Sequence, residues 1–233
     1  MIPVIAIDGP SGSGKGTIAA SIAKKLGFHL LDSGALYRLV GLAAIKRGIS
    51  LDDELCLVPL AEQLNVAFRP SMQSSRTLDV ILEGKDVTDE LRLESTGEYA
   101  SRVASKVGVR AALMKRQHAM REAPGLVADG RDMGSVVFPD APVKVFLTAS
   151  AEERAKRRYN QLIHKGESVN LRALLEEIRA RDERDTKRPV APLKATEDAL
   201  VLDSTSLTIA EVEQAILDYA VKRVPGIGRR MQR

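Results

Sequence analysis

Glycines, serines and one lysine cluster near the start of the chain, in the run Gly9-Pro10-Ser11-Gly12-Ser13-Gly14-Lys15-Gly16-Thr17. Between a strand and a helix such a run binds phosphate, because glycines let backbone N–H groups approach the oxygens and the helix dipole adds positive potential. Lys15 adds a full positive charge for the β- and γ-phosphates. The alternative is a turn that only caps the helix. The lysine and the preceding apolar strand favour a nucleotide site.

The residue after the lysine departs from the usual phosphate-loop pattern. That pattern places there a Ser or Thr whose hydroxyl ligates Mg²⁺, whereas this chain has Gly16 and then Thr17. Two arrangements stay open: Thr17 approaches the ion, directly or through water, or phosphates and water supply most ligands. Asp129 follows an apolar run, in the position of a Walker-B-like acid. It would hold a Mg²⁺-bound water, or else make a structural contact with the loop.

Arginines dominate the other candidate segments, as expected for a site that positions phosphates rather than one that uses a nucleophile. Arg154, Arg157 and Arg158 have i, i+3, i+4 spacing and therefore share one helical face. Phosphates would neutralise this face if the segment closed over a nucleotide as a lid. A solvated basic face is the alternative. Arg131 follows a strand end and a glycine, where parallel sheets place ligands; a loop ion pair is its alternative.

Short apolar strands and longer helices must position these residues. Their alternation predicts an α/β fold, a three-layer phosphate-loop sandwich with a five-stranded parallel sheet. Strands are predicted at 3–8, 28–32, 126–129, 143–147 and 200–203. Helices are predicted at about 18–26, 35–47, 90–105, 109–121, 151–164, 170–187 and 208–222.

Residues 64–88 differ in character and predict a small antiparallel β insertion. Its strands would be 66–68 and 77–82, joined by the polar stretch 70–76, and residues 83–86 would form a turn. The predicted organisation is a core at 1–33, a monophosphate-binding region at 34–123 with the insertion, core again at 124–150, a lid with adjoining helices at 151–188, and the final core strand and helix at 189–233.

Composition excludes several classes of protein. The chain has 233 residues, 35 Lys+Arg against 31 Asp+Glu, one cysteine, no Trp and 3% aromatic residues. A single cysteine, Cys56, excludes an intrachain disulfide framework and a Cys-based zinc site, and we expect it to be buried packing. Few aromatic residues argue against base-stacking nucleic-acid binding. No apolar run approaches the ~20 residues of a membrane helix, and no signal segment is visible, so we expect a cytoplasmic protein.

These motifs together resemble the bacterial cytidylate kinase family. The Gly-Lys-Gly-Thr form of the loop is similar to that of nucleoside-monophosphate kinases, and the segments LDSGALYR at 31–38 and ADGRDMGSVVFP at 128–139 resemble the cytidylate kinases. The similarity extends over 153–158, 181–185 and 200–205, hence over nearly the whole chain. It implies phosphoryl transfer from ATP to CMP or dCMP, with Mg²⁺ and a mobile lid. The acceptor oxygen is already anionic, so no general base is needed.

The resemblance also implies individual roles. Asp132 would accept a hydrogen bond from the cytosine amino group, Arg38 would hold the acceptor phosphate, and Arg181 with Asp185 would bind the ribose. The catalytic set is Lys15, Arg131, Arg157 and Arg158; the ATP set is residues 9–17 with Arg154, Arg157 and Arg158; the acceptor set is Ser33, Arg38, Ser101, Arg110, Arg131, Asp132, Arg181, Asp185 and Arg188.

Several of these residues have ordinary structural alternatives. Ser33 would also serve as a helix N-cap, Arg181 and Asp185 as a surface i,i+4 ion pair, and Ser101 and Arg110 as solvated helix side chains.

Rival functions make different demands on the sequence. A switch GTPase should carry an Asn-Lys-x-Asp motif, and the chain has none. An RNA-binding protein should place aromatic residues among its basic patches. A kinase for UMP, AMP or a small metabolite is the nearest rival, which Asp132 and the base-recognition residues disfavour. We therefore expect a monomer whose partners are ATP, CMP and dCMP, with no nucleic acid or membrane partner.

Overall fold

The structure is a computed structural model that describes residues 1–70, 78–164 and 166–230. The chain divides into two compact units, a larger one of Met1–Asp32 and Gln117–Arg233 and a smaller one of Ser33–Arg116. The strands are β1 (Val4–Asp8), β2 (His29–Asp32), β3 (Val66–Pro70), β4 (Leu78–Leu82), β5 (Lys85–Asp86), β6 (Leu126–Gly130), β7 (Val143–Thr148) and β8 (Leu200–Asp203). The helices are α1 (Lys15–Leu26), α2 (Ser33–Lys46), α3 (Glu54–Glu62), α4 (Glu94–Val103), α5 (Val107–Ala119), α6 (Ala151–His164), α7 (Leu171–Lys187) and α8 (Ile209–Arg223).

A five-stranded parallel sheet forms the centre of the larger unit, in the order β2-β6-β1-β7-β8. This confirms the predicted fold class. All five residues of β1 are buried, as expected for a central strand of a parallel sheet, which explains why its sequence is almost wholly apolar. Strands β1 and β6 pair directly, so the segments that follow them, the phosphate loop and residues 131–137, leave the same edge of the sheet side by side.

The core of the larger unit joins the sheet to the helices α1 and α8. Ile5 and Ile7 of β1 belong to one buried cluster with Ile18 and Ile22 of α1 and Ile216 of α8. The helix α1 ends where predicted, at Gly27, whose left-handed backbone (φ 63°) lets its N–H group bond Ala23 and Lys24 carbonyls. Packing against the sheet therefore fixes α1, whose first turn follows the phosphate loop.

The smaller unit contains the predicted antiparallel insertion. Strands β3, β4 and β5 form a three-stranded sheet in that order, with Val66 opposite Leu82. Residues 71–77, which include most of the predicted connection and the first residue of the predicted 77–82 strand, lie outside the described residues. The predicted turn at 83–86 is partly wrong: Glu83 and Gly84, both with positive φ, form the turn, and Lys85–Asp86 pairs with β4.

The helix α3 was not predicted from the sequence, because Pro59 lies inside it and interrupts the helical pattern. The Asp53 side chain caps its start by accepting from the Cys56 N–H group at 3.2 Å. Cys56 is exposed, so the prediction that it is buried packing is wrong.

Among the residues given above, no helix is long and apolar enough to cross a lipid bilayer.

The start of the phosphate loop yields a stability prediction. A Cβ at Gly9 would lie 2.0 Å from the Leu147 carbonyl oxygen, whereas a Cβ at Gly27 would meet nothing within 4 Å. We expect Gly9→Ala to lower the free energy of unfolding by more than about 3 kcal/mol because backbone must move. Gly27→Ala, which suffers only backbone strain, should cost about 1 kcal/mol. Urea unfolding of both variants measures this, and equal losses would contradict it.

Candidate active site

Side chains from other parts of the larger unit hold the phosphate loop by hydrogen bonds to its carbonyl oxygens. The Ser11 carbonyl accepts from Nη1 of Arg154 at 2.9 Å, and the Ser13 carbonyl accepts from the Ser204 hydroxyl at 3.3 Å. The C=O and N–H groups of one trans peptide point in opposite directions. The N–H groups of Gly12 and Gly14 therefore face away from Arg154 and Ser204, as phosphate binding requires.

Lys15 lies at the start of α1 and is buried. Its ammonium group donates to the Pro10 carbonyl at 3.0 Å and lies 4.0 Å from Oδ1 of Asp129. Burial, reinforced by the positive charges of Arg131 and Arg181, lowers the pKa of Lys15 to about 7. Bound phosphates would counter both effects by supplying negative charge next to the ammonium group.

A cavity of about 700 Å³ opens beside the loop within the larger unit. Its walls come from the phosphate loop, the exposed side of α6 and the segment that leads from β8 into α8. Gly12, Gly14, Lys15, Arg157, Arg158, Gln161, Ser204, Thr205, Leu207 and Thr208 are among the lining residues. The polar and cationic walls near the loop suit phosphates, and the β8–α8 segment adds an apolar surface at Leu207.

Arg157 is fixed in this cavity wall by several acceptors. Its Nε donates to Glu153 at 3.0 Å, and Nη1 donates to the hydroxyl of Ser204 at 3.2 Å and the Ser13 carbonyl at 3.5 Å. Nη2 donates to the Ser204 carbonyl at 2.5 Å. A guanidinium held on several sides needs little reordering when a ligand binds, so it is well suited to stabilise developing charge.

Arg154 has a different environment from its two neighbours on α6. It is 3% exposed, and Nε donates to the Ala149 carbonyl at 3.0 Å. Its two terminal nitrogens form a bidentate pair with the Asp182 carboxylate on α7, besides the bond to Ser11. These contacts favour a role in holding the loop and joining α6 to α7, and direct contact of Arg154 with ATP stays a prediction.

A second cluster of charges surrounds Asp185, near the end of α7. The Asp185 carboxylate accepts from Nε of Arg131 at 2.9 Å, which is an ion pair of the kind the sequence left open for Arg131. Burial opposes ionisation of Asp185, but Arg131, Arg181 and Arg188 outweigh it and lower the pKa of the carboxyl group. The predicted acceptor residues of the larger unit thus lie together.

Asp132 lies in the same cluster and is 2% exposed. Its Oδ1 lies 3.8 Å from Nη2 of Arg188, while Nε of Arg188 donates to the Ala191 carbonyl at 2.5 Å. A buried carboxylate beside an arginine is a suitable acceptor for an exocyclic amino group, because its charge is already balanced.

The residues that would hold Mg²⁺ fit that ion. Asp129 is buried, and a Cβ at Gly16 would lie only 3.1 Å from its Oδ2, which is a physical reason for glycine where the usual pattern has Ser or Thr. Thr17 is exposed in the first turn of α1. No group of three or more His, Cys, Asp or Glu side chains forms a metal site within the described part of the chain. A Mg²⁺ ion that took most of its ligands from phosphates and water, with Asp129 holding one of those waters, would need no such group.

Comparison with known proteins decides the family. The family model for cytidylate kinase matches residues 5–222. The chain belongs to the cytidylate kinase family. It is 61% identical to a cytidylate kinase of Stutzerimonas stutzeri over 95% of this chain and 96% of the relative. It is 58% identical to one of Aeromonas salmonicida over 96% of each. A solved structure of an uncharacterized protein from Eubacterium ventriosum shares the fold, with a TM-score of 0.50 and 11% identity over 96% of this chain and all of that one.

Four of the residues predicted to bind the acceptor nucleotide lie in the smaller unit. Their predicted role comes from the resemblance to the cytidylate kinases. Ser33 is buried at the first residue of α2, and Ser101 is half-buried on α4. Arg38 donates to the Leu91 carbonyl at 3.0 Å. Arg110 is buried, and its guanidinium carbon lies 5.7 Å from the centre of the Tyr37 ring. Their roles in binding CMP stay predictions.

Sequence reasoning missed three residues that shape this cytidylate kinase site. Ser204 contacts both the loop and Arg157, Asp182 pairs with Arg154, and Asp8 bonds the segment after Asp132. Each acts on a residue far away in the sequence, so no local spacing could reveal it. Only Asp8, a carboxylate ending an otherwise apolar strand, carried a signal.

The Asp185 cluster yields a pH prediction. Because folding lowers the pKa of Asp185, the stability it contributes is present above its unfolded value of about 3.9 and is lost as the pH falls through the folded value. We expect Asp185→Asn to lower the free energy of unfolding at pH 7 by about 1–3 kcal/mol. The difference from the unsubstituted protein should shrink below about pH 4. Urea unfolding at several pH values measures it; a difference that stays constant down to pH 3 would contradict the prediction.

Proposed function

We propose that this chain transfers the γ-phosphoryl group of ATP to CMP or dCMP, giving CDP or dCDP and ADP, with no covalent intermediate. The observation that carries the proposal is one sheet edge with two cationic groups. Lys15 in the phosphate loop supplies one, and Arg131 with its neighbours around Asp185 supplies the other. Together with membership of the cytidylate kinase family, this arrangement supports a reaction between two phosphorylated nucleotides.

The donor, ATP, would occupy the cavity beside the phosphate loop. Backbone N–H groups of the loop and Lys15 would hold the β- and γ-phosphates, and Arg157 and Arg158 line the same cavity. Asp129 would hold Mg²⁺ through a bound water, and Thr17 would approach the ion directly or through water, while phosphates and water would supply the other ligands. When bound, the ion would add charge neutralisation at the phosphates.

The acceptor would bind through the cluster around Asp185. Arg181 with Asp185 would bind its ribose, Arg188 would contact CMP, and Asp132 would accept a hydrogen bond from the cytosine amino group. Arg38 would hold the acceptor phosphate, as resemblance to the cytidylate kinases implies. Such a carboxylate favours cytosine over uracil, because uracil carries a carbonyl oxygen at that position and two acceptors repel.

The reaction then needs position and charge rather than a base. An anionic oxygen of the CMP phosphate attacks the γ-phosphorus in line, the bond to the β–γ bridging oxygen breaks, and its electron pair leaves with ADP. Lys15, Arg131, Arg157 and Arg158 would stabilise the charge that spreads over the transferred group. Lid movement of residues 151–188, monomeric state and cytoplasmic location stay predictions.

A panel of acceptors tests this function. We expect ADP release with CMP and dCMP, much less with UMP and little with AMP, in the presence of Mg²⁺.

Lys15→Ala tests the donor side. It should lower kcat by on the order of 10²–10³-fold because it removes a charge from the transferring phosphates, while circular dichroism stays unchanged. Turnover with UMP or AMP above that with CMP would refute the assignment, as would full activity of the lysine variant.

Asp132→Ala tests the acceptor side separately. Loss of a charged hydrogen-bond partner should raise KM for CMP at least about ten-fold. KM for ATP should change less than about three-fold, because ATP binds through other residues. Steady-state kinetics with each substrate varied in turn measures both constants. Equal rises in the two constants would contradict a role in base recognition.

A further inference from the structure

Asp8 makes two hydrogen bonds that the reaction described above does not use. It is the last residue of β1 and directly precedes Gly9, the first residue of the phosphate loop. Its Oδ1 accepts from the Met133 N–H group at 2.7 Å, and its Oδ2 accepts from the Gly134 N–H group at 2.8 Å. All three residues are buried, so water cannot replace these bonds.

The two N–H groups open a short π-helical turn, Met133–Val137. The first N–H groups of a helical turn lack partners within it, and normally the side chain just before the turn accepts from them. That residue here is Asp132, whose side chain makes no such bond. Asp132 instead contributes its backbone carbonyl, which accepts from Val136 at 2.9 Å and Val137 at 3.1 Å. The side-chain cap comes from another strand.

We propose that Asp8 is a positioning residue for the acceptor base. By capping the turn from β1, it takes over the role that Asp132 would otherwise fill, so that the Asp132 carboxylate is turned toward the cytosine ring. This inference rests on the proposed function. It also gives a reason for an acid at the end of the strand before the phosphate loop, because Asp8 directly precedes that loop and caps the segment that follows Arg131 and Asp132.

The surroundings of Asp8 disfavour its negative charge, and only the two backbone hydrogen bonds favour it. Burial raises the pKa of Asp8 to about 7, repulsion from Asp132 and Asp129 adds to the rise, and the two N–H groups oppose it. Gly134 allows the close approach, since a Cβ there would lie 3.1 Å from Cγ of Lys144 and 3.4 Å from Oδ2 of Asp8. Because the charged form is costly here, an asparagine of the same size should leave the fold intact.

Asp8→Asn is the direct test. Its amide keeps one acceptor oxygen but places an NH₂ group against the second backbone N–H, so the turn and Asp132 should shift. We expect KM for CMP to rise about ten-fold or more while KM for ATP changes less than about three-fold. Asp140→Asn, the same change at a surface carboxylate that pairs with Arg121, should leave both constants unchanged. Equal effects of Asp8→Asn on both substrates would overturn the proposal.

A double-mutant cycle separates positioning from general destabilisation. If Asp8 acts through Asp132, Asp8→Asn should alter KM for CMP less than about two-fold in the Asp132→Ala background. Independent, multiplying effects would overturn the proposal. If Asp8→Asn does not fold, Asp8→Ser, which retains one acceptor in a smaller volume, replaces it in the same cycle.

Hydrogen exchange gives a readout that does not need the proposed reaction. In the unsubstituted protein the Met133 and Gly134 amides should be protected, and Asp8→Asn should speed their exchange while amides of Val4–Ile7 stay protected. Unprotected amides at 133 and 134, or no change in the variant, would overturn the cap itself. If the unsubstituted protein failed to phosphorylate CMP, the proposed function would fail while this exchange result still decided the cap.

Discussion

Several positively charged side chains lie close together at one edge of the five-stranded sheet, and the candidate site depends on their proximity. Lys15 is buried near Arg131 and Arg181, so the protein disfavours its charge until an anion arrives. Carboxylates hold the cations in place meanwhile: Asp185 pairs with Arg131, and Asp182 with Arg154. Such internal pairs keep arginines ordered without neutralising the whole group, because guanidinium groups outnumber the carboxylates around Asp185. Phosphates complete the balance, which gives binding its driving force.

The order of the strands explains how cationic residues that are far apart in sequence come together at one edge of the sheet. Strand β1 lies between β6 and β7, so three loops that are far apart in sequence leave the sheet as neighbours. The loop after β1 carries Lys15, the one after β6 carries Arg131 and Asp132, and the one after β7 leads into α6 with Arg157. A parallel sheet places all such loops at one edge, which is why it suits reactions between two substrates.

Much of this arrangement could be predicted because its signals are local. Apolar runs mark the five strands, glycines with Lys15 mark the loop, and helical spacing groups Arg154, Arg157 and Arg158. What could not be predicted depends on distant partners or on exceptions to local rules. The helix α3 tolerates an internal Pro59, and Lys85–Asp86 becomes a strand only by pairing with β4. The spacing of the three arginines likewise could not show that Arg154 is buried among carbonyls and Asp182, whereas Arg157 faces the cavity.

The outward-facing carbonyls of the phosphate loop have a thermodynamic consequence. With the oxygens of Ser11 and Ser13 already bonded to Arg154, Arg157 and Ser204, the peptide planes of the loop cannot rotate freely before a nucleotide arrives. Little conformational entropy is then lost on association, because the loop has been ordered during folding instead. A flexible glycine-rich segment thus behaves as a rigid receptor, and the glycines serve its shape rather than its mobility.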